Sequence, residues 1–291
     1  MTTGILLGVF FVGLITFHWL ERFNPVIKGL RHGLARPDYV AEFTAALVDG
    51  PVLSSLTKIV AFWLITLAPQ YADGLGRWPL LAQFAVFFII NDFGRYWLHR
   101  WYHEFNWLWR IHRVHHTVTE MDALSTFRVH VLEGVIKYGL LVLPFHLSGV
   151  SRWVILAYSS IDILKGFWHH ANLRTYIGRL NYLLNSAELH WWHHSVDERG
   201  QRANYGSTLS IWDWLFGTAY WPKGKWPERI GVEGLEHFPK TYHEMLTSIR
   251  FDDQQAARAY QSATPPGVDT PQPAGAETAT VKRQQATTWV V

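Results

Sequence analysis

Histidine placement constrains this chain more than any other feature. Eight histidines fall into three tight clusters: His99-x3-His103, His112-x2-His115-His116 and His190-x2-His193-His194. A further pair, His169-His170, lies between the second cluster and the third. On a helix, residues three and four apart share a face, so each cluster can aim several imidazoles at one point. Doubled histidines lower helix propensity and repel when charged, so a solvent-facing helix gains nothing structural from them. Neutral imidazole ligates iron, zinc, copper and nickel. One structural or catalytic zinc takes only three or four protein ligands, so this many histidines suits two ions rather than one. The nearby Arg100, Arg110 and Arg113 would favour neutral rings by disfavouring imidazolium. The clusters therefore predict a dinuclear metal site.

Composition narrows the setting. The chain has 291 residues, 49% apolar and 17% charged, with 16 Trp, 17 Phe and 12 Tyr. Trp and Tyr favour membrane–water boundaries, where a ring is half wet. The net charge of +3 is modest, and no Lys/Arg run with interleaved aromatics marks a nucleic-acid partner. Cysteine is absent, which excludes disulfides, thiolate catalysis and cysteine-ligated iron–sulfur clusters. The sequence has no dinucleotide fingerprint, P-loop or C-x-x-C-H haem site, so electrons for any redox reaction come from a separate protein.

Apolar runs predict membrane spans of about 20 residues. Gly4–Leu20 is the first, read as an anchor because no small-residue cleavage site follows it. Pro51–Pro69 and Leu80–Leu98 are the second and third. Gly134–Gly149 and Trp153–Phe167 predict a hairpin broken at Pro144 or at Gly149-Val150-Ser151. Basic residues gather after the first and third spans (Arg22, Lys28, Arg31, Arg36; Arg95, Arg100, Arg110, Arg113, Arg128), while the opposite loops carry Arg77 and Arg152. Positive-inside counting then puts every histidine cluster on the cytoplasmic side. The expected fold is all-α: an integral membrane helical bundle of about four spans with a cytoplasmic histidine-rich cap. Residues 1–79 form the anchor, 80–221 the core and 222–251 an extension of the cap. The Pro-, Thr- and Gln-rich stretch 252–291 is expected to be disordered.

The ordered set H-x3-H, H-x2-H-H and H-x2-H-H resembles the fatty acid hydroxylase and sterol desaturase superfamily. Flanking residues match too. Asp92-x3-Tyr96-Trp97-x-His99-Arg100 leads into the first cluster and Arg128-x-His130-x2-Glu133 follows the second. His170-Ala171-Asn172 precedes the third; Asn204-Tyr205-Gly206 and Trp212-Asp213-x2-Phe216-Gly217-Thr218 follow it. The similarity runs from about Asp92 to Trp221. It implies a membrane-bound non-haem di-iron centre that uses O2 to oxidise an unactivated C–H bond of a fatty acyl or sterol-like lipid. The electron donor would be a ferredoxin, or a cytochrome b5-like protein with its reductase. Hydroxylation is the expected outcome, with desaturation on the same site the alternative. A membrane metal-binding or transport protein and a bis-histidine haem carrier are the more distant readings.

The expected ligands are His99, His103, His112, His115, His116, His190, His193 and His194, with His170 added because it sits in the family's H-x-N pattern. His169 is a further candidate. His130 is read as a supporting or packing residue, since a ligating ring needs a partner for its other nitrogen. Asp92, two turns before His99, either orients that ring or pairs with Arg95 or Arg100. Glu188 and Asp213 either hold histidine rings or cap and anchor turns. Trp191 and Trp192 either line a substrate channel or face lipid, and Trp212, Trp214 and Trp221 can form an interfacial belt. His18, His32, His146, His237 and His243 lack companions at ligand spacing and are read as structural or surface residues.

Overall fold

The computed structural model describes residues 2–30, 36, 38–67, 74–235 and 239–250. The expectation of a disordered 252–291 lies outside these residues, as do His32 and His237. All regular structure described is helical; beside it stand two isolated bridges, Leu184–Leu209 and Ser195–Ile230. Four helices open the chain: α1 (Thr2–Leu20), α2 (Tyr39–Leu67), α3 (Leu80–Glu104) and α4 (Asn106–His116). A short 3-10 turn, Ala123–Phe127, leads into α5 (Val131–Leu141), α6 (Leu143–Leu147) and α7 (Arg152–His170). After a second 3-10 turn, Gly178–Tyr182, come α8 (Ala187–His193), α9 (Glu198–Gln201), α10 (Ile211–Leu215) and α11 (Tyr242–Thr247).

Local chemistry sets the breaks. Pro144 starts α6, where its missing N–H costs nothing, and Gly149 at φ 74 separates α6 from α7. Both expected hairpin breaks are therefore used. Phe105, in extended backbone, ends α3 and starts α4, so the two histidine-bearing helices fold against each other. Their seam is apolar: Leu98 and Tyr102 meet Leu108 and Ile111. α1 lies along α7 through Phe10 and Leu14 against Phe167. Gly13 permits that approach, since a Cβ there would stand 2.9 Å from the Phe167 ring. Each such buried side chain contributes about 1.5–3 kcal/mol relative to exposure. Between α2 and the first 3-10 turn, Arg36 pairs with Glu42 and, at 3.0 Å, with Asp122. Asp122 in turn caps the 3-10 turn at Ala123 by accepting from the Leu124 amide.

Among the described residues no helix is long and apolar enough to cross a membrane. α3 turns polar at Asn91, Asp92 and Arg95, and α7 carries Arg152, Asp162 and Lys165. Large apolar side chains nonetheless face outward along the helices, among them Ile15, Trp19, Trp63, Leu81, Trp101 and Trp107.

Candidate metal centre

The helix ends carry the histidines inward. α3 supplies His99 and His103 from its last two turns; α4 supplies His112, His115 and His116. α7 ends on His169 and His170, and α8 carries His190 and His193, with His194 as its C-cap. Nine of these rings form two groups. In the first, His99, His103, His112, His116 and His193 bring one nitrogen each within 4.8 Å of one another. In the second, His115, His170, His190 and His194 do the same. The groups touch: the His116 ring stacks on that of His194 with centroids 4.5 Å apart.

This division corrects the idea that each cluster aims at one point. Within H-x2-H-H, the outer pair, four residues apart, turns to one group and the middle ring turns to the other. His112 and His116 join the first group and His115 the second; His190 and His194 join the second and His193 the first. The repeated triplet thus stitches two sites together from both sides.

Hydrogen bonds fix which nitrogen five of the nine rings present. His99 Nδ1–H donates to the Tyr205 carbonyl at 2.9 Å, and His193 Nδ1–H to the Ala203 carbonyl at 2.7 Å. His115 Nδ1–H donates to Arg128 O at 3.2 Å, His170 Nδ1–H to Gly166 O at 2.9 Å, and His112 Nδ1–H to Glu133 Oε2 at 2.9 Å. With the proton on Nδ1, each of these five rings presents an Nε2 lone pair. Yet His99 Nε2 lies 3.0 Å from His112 Nε2, and His115 Nε2 3.1 Å from His170 Nε2. Two lone pairs at that range repel, and no proton is left to join them. A cation resolves the conflict: two nitrogens each about 2.1 Å from one ion, at a right angle, stand about 3.0 Å apart. His103 Nε2 and His193 Nε2 add two buried nitrogens with no hydrogen-bond partner. The donor set fits metal ions.

Electrostatics agree. Burial, aided by His112, pushes His99 down to about 3, and burial takes His170 down to about 4. Burial, with neighbouring imidazoles adding to it, holds His103, His115, His116, His190, His193 and His194 well below the usual range. Neutral rings are what ligation requires. Burial, rather than the neighbouring arginines, is the main cause. Arg113 itself is buried, with its guanidinium donating to Ser248 O.

Other expected residues sit around the groups rather than in them. His169 lies beside His190 but bonds Asn185 O through Nε2 at 2.9 Å. His130 caps α5, its Nδ1 accepting from the Leu132 amide while Nε2–H donates to Leu246 O. Asp92 neither orients His99 nor pairs with an arginine. It accepts from the Thr208 and Leu209 amides and from Trp212 Nε1, tying α3 to the loop before α10. Glu188 holds Asn181 and the Gly224 amide, not a ring. Asp213 anchors a turn, accepting from the Tyr205 and Gly206 amides and from Thr218 Oγ1. Trp191 is buried and donates to Ala171 O; Trp192 donates to Lys225 O.

Two supporting features were not legible as such. Glu133 orients His112, and the motif Arg128-x-His130-x2-Glu133 was the only trace of it. The loop 203–205 holds His193 and His99 by its carbonyls. Asn204 between them adopts φ 58, a left-handed conformation Asn tolerates best among residues with side chains. Its side-chain amide donates to Leu189 O and Tyr220 O and accepts from the Tyr220 amide. The Asn-Tyr-Gly motif is therefore a clamp on two rings. A cavity of about 160 Å³ opens onto both groups, lined by His99 and His112 on one side and His115, His170 and His190 on the other.

Two adjoining groups of buried, neutral imidazoles on a helical scaffold define a candidate dinuclear metal centre with access for a small reacting moiety. The comparisons place it further. Residues 84–218 match the fatty acid hydroxylase family, so the resemblance to the fatty acid hydroxylase and sterol desaturase superfamily holds across the middle of the chain. An ornithine lipid hydroxylase from Rhizobium tropici is 34% identical over 158 residues, 54% of this chain and 48% of the relative. An alkylglycerol monooxygenase from Danio rerio is 34% identical over 213 residues, 72% and 46%. Methylsterol monooxygenase 1-3 from Arabidopsis thaliana is 29% identical over 148 residues, 48% of each. The chain thus spans just under half the length of each of these relatives. No solved structure matches.

Proposed function

We propose that this chain is a membrane-bound non-haem di-iron oxidoreductase that hydroxylates a lipid. His99, His103, His112, His116 and His193 would hold one iron; His115, His170, His190 and His194 would hold the other. Bound iron supplies the O2-activating redox chemistry that side chains alone lack. Overall, R–H, O2, two electrons and two protons give R–OH and water, the electrons coming from a ferredoxin or a cytochrome b5-like donor with its reductase. The chain's own part is to position and exclude. Carbonyls 128, 166, 203 and 205 and the Glu133 carboxylate hold five rings by Nδ1, burial keeps them neutral, and the cavity admits the bond to be oxidised. The outward apolar side chains suit a lipid environment, with the histidine groups on its cytoplasmic side.

The observation that carries this reading is the pair of close Nε2–Nε2 contacts between rings whose Nδ1 protons are already committed. The named activities of the relatives, acting on ornithine lipids, alkylglycerols and methylsterols, support a lipid substrate. The test is lipid mass spectrometry of cells with and without the protein. A lipid gaining one oxygen atom supports hydroxylation. A lipid losing two hydrogens assigns desaturation on the same site. An unchanged lipidome rejects both, and metal bound to the purified protein would then leave a metal carrier.

A further inference from the structure

The cavity beside the imidazoles is charged where a site for a bare hydrocarbon chain would be apolar. α3 contributes Arg95, α5 Lys137, and α7 Asp162 and Lys165; Ser207 closes one side. Counting Glu133, three cations face two carboxylates there, and both carboxylates are engaged. Asp162 is held bidentately by Arg95, at 2.7 and 2.8 Å, and by Lys165 at 2.8 Å; Glu133 holds His112. Ser207 Oγ accepts from Lys165 at 2.8 Å and from Arg95 at 3.4 Å, which leaves its own proton to donate. Lys137 lines the same cavity, where Asp162 and Glu133 act on its charge from a distance while both are hydrogen-bonded to other groups. An alkyl chain filling this space would strip water from cations and return nothing. An anion would pair with Lys137 and accept from Ser207.

A second, apolar space adjoins it. Phe93, Trp97, Trp101, Leu140 and Leu141 line a groove of about 430 Å³ between α3 and α5. Leu98 lines both the groove and the charged cavity, so the two adjoin at this residue. One amphiphile fits both, its chain in the groove and its head among the cations.

We infer that the cavity is the head-group site of an anionic lipid, in which Lys137 and Ser207 hold a carboxylate or phosphate beside the histidine groups while the acyl chain lies along Trp97, Trp101 and Leu140. This deepens the proposed function and rests on it for one consequence. The oxidised carbon lies within a few bonds of the polar head, not far down the chain.

Binding tests the site without turnover. The iron-loaded full chain in a neutral detergent is titrated with hexadecyl phosphate, N-palmitoylglycine and, as neutral analogue, hexadecanol. Wild type should bind at least one of the two anions roughly ten- to a hundredfold more tightly than the alcohol, the range expected for one charge-assisted hydrogen-bonded contact. Which anion is preferred separates phosphate from carboxylate. Lys137→Gln should lose most of that preference while hexadecanol binding and iron content stay unchanged; Lys137→Arg should keep it. Equal binding of anions and alcohol by wild type overturns the inference, as does a preference that survives in Lys137→Gln. Lipid oxidation without anion preference would leave the proposed function standing and remove this site. Anion preference in a chain that holds no iron would do the reverse.

Discussion

The group around His103 draws five rings from α3, α4 and α8; the group around His115 draws four from α4, α7 and the end of α8. The first is largely a local product. His99 with His103 and His112 with His116 are i,i+4 pairs on helices joined by one extended residue, and only His193 comes from afar. It is also the more open group, with His99 and His103 only half-buried, and among the described residues it alone has a carboxylate behind one of its rings, Glu133 behind His112. The second group is wholly buried, and α7 must reach α4 and α8 for it to exist; His170 meets His115 across 55 residues of sequence. Its ring partners are backbone carbonyls. If each group holds one ion as proposed, five candidate ligands tolerate a loss better than four, so the two should fail differently.

The largest effect is expected at the crossing residue of the smaller group. His115→Ala leaves three ligands there and should lower lipid oxidation by more than about a hundredfold, beyond the range for outer partners, with a loss of bound iron. Retained iron and activity would count against the division into groups. Glu133→Gln should cost about ten- to a hundredfold in iron affinity or activity, confined to the larger group; an unchanged affinity would show that His112 needs no carboxylate. Asn204→Ala removes the clamp behind His99 and His193 and leaves a left-handed residue unsupported. It should destabilise the fold by about 1–3 kcal/mol, with Asn204→Gly milder. Thermal unfolding of both variants measures this. His169→Gln should leave iron content as it is, because His169 serves Asn185; a lost iron would make it a tenth ligand.

Acid should act on both groups. The folded chain holds His99 near 3 and His170 near 4, while an unfolded histidine titrates near 6.5. Below that value the unfolded chain takes up protons the folded one refuses. The stability these rings contribute is present above about pH 6.5 and lost as pH falls toward the folded values. The melting temperature of the metal-free protein should decline steadily between about pH 6.5 and 4. A flat profile would mean the rings are not buried neutral.

Much of this was readable in the chain. Apolar runs and breakers located α1, α3 and the α5–α7 hairpin, and histidine spacing supplied eight of the nine rings in the two groups, His170 coming from the family's H-x-N pattern. Spacing cannot say where a ring points once helices pack, so H-x2-H-H read as one cluster, not a bridge between two. Asp92 illustrates the same limit: its partners are backbone amides at 208 and 209, which carry no residue-specific signal. Glu133 stands 21 residues from His112, across a turn, so no periodicity links them. Hydropathy suggested four spans, yet the charges that build the cavity, Arg95, Asp162 and Lys165, lie on those same helices.

Counting iron in purified protein tests the central claim most directly, comparing wild type with one variant disabled in each group. The account predicts about two irons per chain in wild type, and about one in both His170→Ala/His194→Ala and His103→Ala/His116→Ala. Wild type holding one iron or none, or either double variant still holding two, would contradict it.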